Sequence, residues 1–77
     1  MATVPYTASL VANPSELGAL IARRRKELKL TQDDLATAAG TSRRFLHEVE
    51  HGKANARIGL VFQLCAELGI VLRADRA

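Results

Sequence analysis

The sequence predicts an all-α fold, a small bundle of four short helices with a short β-strand at its end. Apolar residues recur at helical spacing in four stretches, and the capping residues Asn13, Thr31 and Ser42 precede three of them. Glycines follow three stretches, which suits the left-handed residue that often ends a helix. The expected divisions are an N-terminal arm, a helical domain, and a strand with a tail, at residues 1–12, 13–69 and 70–77.

Composition and charge exclude several classes of protein. The 77 residues make one small domain, 48% hydrophobic, and oligomerisation commonly supports a core of that size. The formal net charge of +3 is compatible with a polyanionic partner. A single cysteine excludes an internal disulfide and fits a reducing cytoplasm. No apolar run approaches the roughly 20 residues of a membrane span and no signal peptide is evident, so we expect a cytoplasmic protein with no membrane partner.

The first helix is predicted from its start signals. Asn13 is a capping residue, Pro14 suits the first helical position, and Glu16 completes a capping-box pattern. We expect this helix to run from about Pro14 to Lys29. Its apolar face would be formed by Leu17, Leu20, Ile21 and Leu28.

The next two helices are short and close together in the chain. Thr31 would cap the second, which Gly40 ends, and the third would begin after Ser42 and end near Gly52. Their inward residues would be Leu35, Ala36, Ala39, Leu46 and Val49. A fourth helix is expected at about Arg57 to Leu68, followed by a β-branched run at Ile70 to Ala74.

The charges of the third helix run against its dipole. Arg43 and Arg44 occupy the first turn and Glu48 and Glu50 the last, whereas a helix dipole favours the reverse. Two short helices joined by a turn that contains glycine are typical of a helix-turn-helix, whose second helix enters the DNA major groove. Cations at its start would then meet bases and phosphates, and an Arg bound to guanine can contribute about 1–3 kcal/mol of discrimination.

The chain at this point resembles a known family. The motif residues are Arg25, "LTQ" at 30–32, "LA" at 35–36, Gly40, Ser42 and "E-x-G-K" at 50–53. With this spacing, about half the chain is similar to the Cro/Xre helix-turn-helix family of phage-repressor type, which has a lambda-repressor-like four-helix domain. The remainder, "ARIGLVFQLCAELGIVLRA", resembles HipB-type antitoxins. These repress their own operon and partner a HipA-like serine/threonine kinase toxin.

The resemblance implies roles for the matching residues. Gln32 would contact a phosphate and brace the recognition helix, and Ser42 would cap that helix beside another phosphate. The base-reading residues would be Arg43, Arg44 and His47, and the far phosphates would be held by Lys53 and Arg57. Arg25 would pair with Glu50, tying the first helix to the third. Phe45 departs from the small residue usual at its place, and it could either contact a thymine methyl or pack.

Other chemistry has weaker support. His47 and His51 are four residues apart and could share a metal, but no further ligand set accompanies them, so we expect neither metal nor cofactor. Cys65 lies on the apolar stripe of the fourth helix, where a core or interface residue is expected rather than a redox sensor. So small a chain leaves little room for a pocket, and we expect no enzymatic activity.

The C-terminal run predicts a dimer. A lone strand is an exposed edge, so it should pair with its copy in a second chain, unless "TVPYT" near the N-terminus pairs with it. The expected interface residues are Phe62, Cys65, Leu68, Ile70, Val71 and Leu72. Two recognition helices one turn of DNA apart, about 34–36 Å, would read a palindrome in double-stranded DNA.

The combined hypothesis is a sequence-specific repressor, the antitoxin of a HipBA-like pair. Two alternatives remain. One is a solitary regulator, such as a phage-type repressor or a restriction-system controller, without a toxin partner. The other is a module that binds a partner protein and no longer reads DNA, which the polar face of the third helix disfavours.

Overall fold

The computed structural model describes residues 10–76, and within that range the chain forms four α-helices. They are α1 (Pro14–Glu27), α2 (Gln32–Ala38), α3 (Arg43–Glu50) and α4 (Ile58–Glu67). The all-α prediction is therefore confirmed. The "TVPYT" stretch lies outside the described residues. None of the helices in the described part of the chain has the length and apolar character needed to cross a bilayer.

Three helices begin at side-chain caps. The Asn13 side chain accepts a hydrogen bond from the Glu16 backbone N–H at 2.9 Å, and the Ser42 hydroxyl accepts one from Phe45 N–H at 3.0 Å. Thr31 and Asp34 form a reciprocal capping box at the start of α2. Each cap satisfies a backbone donor that the helix itself leaves free, so these local residues fix where the helices begin.

Helix α1 ends at Glu27, two residues before the predicted boundary at Lys29. Lys29 has a φ of 58°, the left-handed conformation usually taken by glycine after a helix. The Lys29 N–H donates to the Lys26 carbonyl at 2.9 Å, and the Leu30 N–H donates to the Arg25 carbonyl at 3.1 Å. These bonds turn the chain sharply from α1 into α2.

The core lies where the four helices meet. Ile21 of α1, Leu35 of α2, Leu46 of α3 and Leu64 of α4 are each completely buried. Burying one such side chain contributes about 1.5–3 kcal/mol relative to leaving it exposed, so these four side chains stabilise the packing of the helices. The other buried apolar residues are Ala36, Ala39, Val49, Val61, Cys65 and Leu68.

Helices α1 and α3 are in close backbone contact at a glycine. Gly18 is buried on α1, and a Cβ atom at that position would collide with the Val49 backbone carbonyl oxygen of α3. The missing side chain therefore lets the two backbones touch. This contact places α1 directly behind α3.

The predicted C-terminal strand is not present in the single chain. Residues 70–76 have no regular secondary structure. A β-strand is defined by hydrogen bonds to a neighbouring strand, and no strand occurs anywhere in the described range 10–76. Ile70 instead packs against the core, and its N–H donates to the Cys65 carbonyl at 2.9 Å, completing the end of α4.

Candidate nucleic-acid interface

Helices α2 and α3 form the helix–turn–helix unit that the sequence predicts. Gly40 in the turn has a φ of 73°, and the Thr41 N–H donates to the Ala36 carbonyl at 2.9 Å. The buried Leu35 and Leu46 pack the two helices onto the same core. Packing on one side leaves the opposite side of α3 at the surface, where Arg43, Arg44 and His47 are all exposed.

Behind α3, a buried ion pair holds the end of the helix. Arg25 Nε lies 2.7 Å from Glu50 Oε2, and Arg25 Nη2 lies 3.1 Å from Glu50 Oε1. The two side chains are only 11% and 4% exposed. Arg25 Nη1 also donates to the Leu30 carbonyl at 2.9 Å, which ties the pair to the turn before α2.

Gln32 completes this cluster from the first position of α2. Its Nε2 donates to Glu50 Oε1 at 3.0 Å. Burial raises the pKa of the Glu50 carboxyl, but the hydrogen bonds from Arg25 and Gln32 more than offset this and leave that pKa below its ordinary value. Glu50 therefore stays ionised at neutral pH, and its carboxylate joins α1, α2 and α3. We call Arg25, Gln32 and Glu50 the brace.

A cleft of about 470 Å³ opens beside the brace, between the starts of α2 and α3. Gln32 and Arg43 lie on its walls, so the structure brings together a residue predicted to contact phosphate and one predicted to read bases. The remaining lining residues are Arg25, Thr31 and Asp33. The two helix starts thus share one surface.

A second acid-centred group lies on the outer side of α3. Arg44 Nε is 3.2 Å from Glu48 Oε1, and Lys53 Nζ is 2.6 Å from Glu48 Oε2. Side-chain hydrogen bonds from Lys53 and Arg44 hold the pKa of the Glu48 carboxyl below its ordinary value. The Arg44 side chain is 91% exposed, whereas Glu48 is 30% exposed. We call Arg44, Glu48 and Lys53 the surface triad.

The other predicted contact residues occupy the ends of helices. Ser42 caps α3, with its hydroxyl already bound to Phe45 N–H. Arg57 is the residue before α4, is exposed, and makes no side-chain cap to that helix. The first backbone N–H groups of α4 therefore lack a side-chain acceptor from Arg57, and helix starts of this kind suit a phosphate oxygen.

Phe45 is half-buried and packs against the core. This placement supports the prediction that Phe45 packs, since part of its ring is covered by the core. Contact between the remaining ring edge and a thymine methyl stays a prediction. His47 and His51 stack, with ring centroids 4.1 Å apart, and His51 Nδ1 lies 2.7 Å from the His47 carbonyl oxygen. Among residues 10–76, no three His, Cys, Asp or Glu side chains are grouped to hold a metal.

The predicted dimer residues divide into two sets. Cys65 and Leu68 are 2% and 1% exposed and belong to the core of the single chain, so the structure does not offer their side chains to a partner. Burial accordingly raises the pKa of the Cys65 thiol. Phe62, Val71 and Leu72 are exposed, and Ile70 is half-buried. The apolar pattern of α4 does not separate the exposed Phe62 from the buried Cys65, because apolar residues surround most of that helix.

Two further residues were missed by the sequence reasoning. Arg24 Nε donates to the Leu68 carbonyl at 3.0 Å, fastening α1 to the end of α4. The partners are 44 positions apart, so no local pattern indicates this contact. The sequence pattern identifies Glu48 only as a charge at the unfavourable end of the third helix. Its spacing of four from Arg44 was the available signal for an ion pair on α3.

Comparisons with known proteins agree with this architecture. Residues 21–72 match the helix-turn-helix family. The chain is 44% identical over 62 residues to the uncharacterised HTH-type transcriptional regulator y4mF of Sinorhizobium fredii, covering 80% of this chain and 82% of the relative. A second S. fredii regulator, y4dJ, is 32% identical over 54 residues, with 70% of each chain covered.

Solved structures show the same fold. A HipB–O4 20mer complex superposes with a TM-score of 0.82 at 18% identity, covering 91% of this chain and 99% of the other. A complex of a HipB variant with an O2 20mer gives a TM-score of 0.83, also at 18% identity, with 92% and 99% covered. The predicted resemblance is confirmed, and the chain belongs to the Xre-like helix-turn-helix family of DNA-binding transcriptional regulators.

Proposed function

We propose that this protein is a non-catalytic repressor that recognises a palindromic operator as a homodimer, with α3 as the recognition helix. The observation that carries the proposal is the outer face of α3. Arg43, Arg44 and His47 are exposed there, while the brace fixes the other side of the helix. A rigid helix with cations at its start suits major-groove reading. The site of action would be the cytoplasm, on nucleoid DNA.

Affinity and specificity would come from different residues. Phosphate contacts position a protein on DNA without reading sequence. The residues that would make them lie at the start of a helix or just beyond its end: Gln32, Ser42, Lys53 and Arg57. Gln32 can do this while its Nε2 remains on Glu50, because the amide has a second N–H donor. Arg43, Arg44 and His47 would contact base edges, with Phe45 beside them.

Salt dependence tests the electrostatic part of this proposal. We expect the affinity for duplex DNA, measured by fluorescence anisotropy, to fall steeply as salt rises, because each phosphate contact contributes about −0.9 to the slope of log K against log salt. The variant Arg57→Gln should make the slope shallower by about 1 per subunit, about 2 for the dimer, and weaken binding to all sequences alike. A flat salt response would contradict the proposed interface.

Exposed apolar residues on α4 and in the segment that follows it support the dimer. Phe62 is 54% exposed on α4, and Val71 and Leu72 in the following segment are 79% and 40% exposed. A two-fold axis would bury the same side chains of both copies and let residues 70–74 pair as a ribbon. Sedimentation equilibrium should show a dimer that Phe62→Ser weakens. A monomer at all concentrations would contradict this part of the proposal.

A toxin partner is the most specific part of the proposal. The HipB-like fold and the "ARIGLVFQLCAELGIVLRA" segment support an antitoxin that neutralises a HipA-like kinase. Expression of the tagged chain together with its neighbouring reading frames should yield a stable complex with a kinase-like protein. The two S. fredii relatives are described as transcriptional regulators, which favours a solitary repressor as the second candidate. A clean dimer without a companion protein would select that candidate.

A further inference from the structure

The surface triad places a carboxylate inside the proposed DNA interface. Glu48 lies on α3 between Arg44, in the first turn, and Lys53, just after the helix. A negative charge beside phosphates weakens DNA binding, because it opposes the cations that displace counterions. Exposed ion pairs also contribute little to folding stability. Neither affinity nor stability therefore accounts for an acid at this position.

The geometry of the triad suggests another role. Glu48 takes one N–H from Arg44, the Nε–H, and leaves the four N–H groups on Nη1 and Nη2 for a ligand. A guanine presents two acceptors, O6 and N7, that such a pair of nitrogens can bind. An arginine that is already held at Nε loses less rotational freedom when it binds a base.

Lys53 is held by the same residue at two points. Its Nζ donates to Glu48 Oε2 at 2.6 Å, and its backbone N–H donates to the Glu48 carbonyl at 3.0 Å. For Lys53 to bind a phosphate with its full charge, this contact to Glu48 must weaken. Glu48 thus opposes the phosphate contact of Lys53 while it orients Arg44.

We propose that Glu48 is a positioning residue that raises the sequence specificity of DNA binding by orienting Arg44 toward a base, and that it also lowers the affinity for DNA of any sequence by limiting the phosphate contact of Lys53. This inference rests on the proposed function of α3. It predicts that loss of the carboxylate strengthens binding to arbitrary DNA and weakens the choice between sequences.

The test compares Glu48→Gln with Glu67→Gln. Both variants remove one negative charge, from the half-buried Glu48 or from the exposed Glu67. Glu67 is the last residue of α4 and makes no ion pair within the described residues. The probes are a random-sequence 20 bp duplex and the duplex that the wild-type protein enriches from a random library. Affinity for each is measured across a range of salt concentrations, and thermal unfolding checks that each variant folds.

We expect Glu48→Gln to bind the random duplex more tightly at 0.1 M salt, by up to roughly 8-fold for each subunit that contacts DNA, with a salt slope steeper by about 1 per subunit for one additional phosphate contact in each. The ratio of affinities for enriched and random duplexes should fall at least about fivefold, and the enriched site should lose a guanine preference. Glu67→Gln should change neither the slope nor the ratio beyond the small effect of net charge.

An Arg44→Gln background separates the two effects of Glu48. There, Glu48→Gln should still steepen the salt slope through Lys53, but the ratio between duplexes should no longer change. If the single variant keeps the wild-type ratio and slope, the inference about Glu48 is wrong while the proposed function stands. If the wild-type protein itself enriches no sequence, the proposed function fails and the inference falls with it.

Discussion

Two glutamates on α3, two positions apart, show how burial decides what an ion pair does. Glu50 faces the interior, is 4% exposed, and accepts from Arg25 and Gln32. Glu48 faces solvent, is 30% exposed, and accepts from Arg44 and Lys53. A glutamate with two donors therefore fixes the helix in place on its buried side, whereas on its outer side it makes ion pairs that a ligand can displace.

Substitution of Glu50 in the brace should reduce folding stability more than substitution of Glu48 in the surface triad. Changing Glu50→Gln leaves the Arg25 guanidinium buried without its anion, and breaking a buried pair in this way costs about 3–5 kcal/mol. We expect a large fall in the midpoint of urea unfolding followed by circular dichroism. A midpoint equal to that of the wild-type protein would show that the brace does not hold α3.

Disrupting the close packing of α1 on α3 should have the next largest effect on folding stability. Gly18→Ala would push a methyl group into the Val49 carbonyl oxygen and spread the helices that Arg25 and Glu50 join, at a cost of roughly 2–3 kcal/mol. The matched control is Gly59→Ala on α4, where a Cβ meets nothing within 4 Å. That variant should gain about 0.5–1 kcal/mol from the higher helix propensity of alanine. Similar unfolding midpoints for the two variants would contradict the close approach.

Acid should remove part of the brace's effect. The pKa of Glu50 is lower in the folded protein than its ordinary value of 4.5, so the folded state favours the ionised form. Its contribution to stability is complete above that ordinary value and is lost as the pH falls through the lower folded-state pKa. The stability difference between wild type and Glu50→Gln should be constant near neutrality and shrink below about pH 4.5. A stability difference between the two proteins that grows in acid would contradict a lowered pKa for Glu50 in the folded state.

The surface triad should give the smallest effect on folding. Glu48→Gln removes the half-buried carboxylate that pairs with two exposed cations, and ion pairs at the surface contribute little in water. We expect its melting temperature to stay close to that of the wild-type protein. A destabilisation as large as that of Glu50→Gln would remove the distinction between the two glutamates.

The local sequence predicts the starts of the helices better than it predicts the brace. The caps at Asn13, Thr31 and Ser42 act within three residues, so their patterns are visible in the sequence. The pairing of Arg25 with Glu50 was available only through family resemblance, since the residues are 25 positions apart. The contact of Gln32 with Glu50 adds a hydrogen bond to the expected bracing role.

Long-range packing and partner contacts lie beyond such reasoning. The role of Gly18 depends on how close two helices come, and that distance is set by the whole core rather than by local sequence. Cys65 and Leu68 share a stripe with the exposed Phe62, so periodicity alone assigned all three to an interface. The predicted strand depends on hydrogen bonds to a second chain, which the local sequence of residues 70–74 does not supply.

The central claim is that the outer face of α3 reads DNA sequence. The most direct measurement is enrichment of binding sites from a random duplex library by the wild-type protein, Arg43→Ala and Arg44→Ala. The account predicts a two-fold symmetric site for the wild type, with preference lost at one base pair per half-site in each variant, worth about 1–3 kcal/mol. Identical sites and affinities for all three proteins would contradict it.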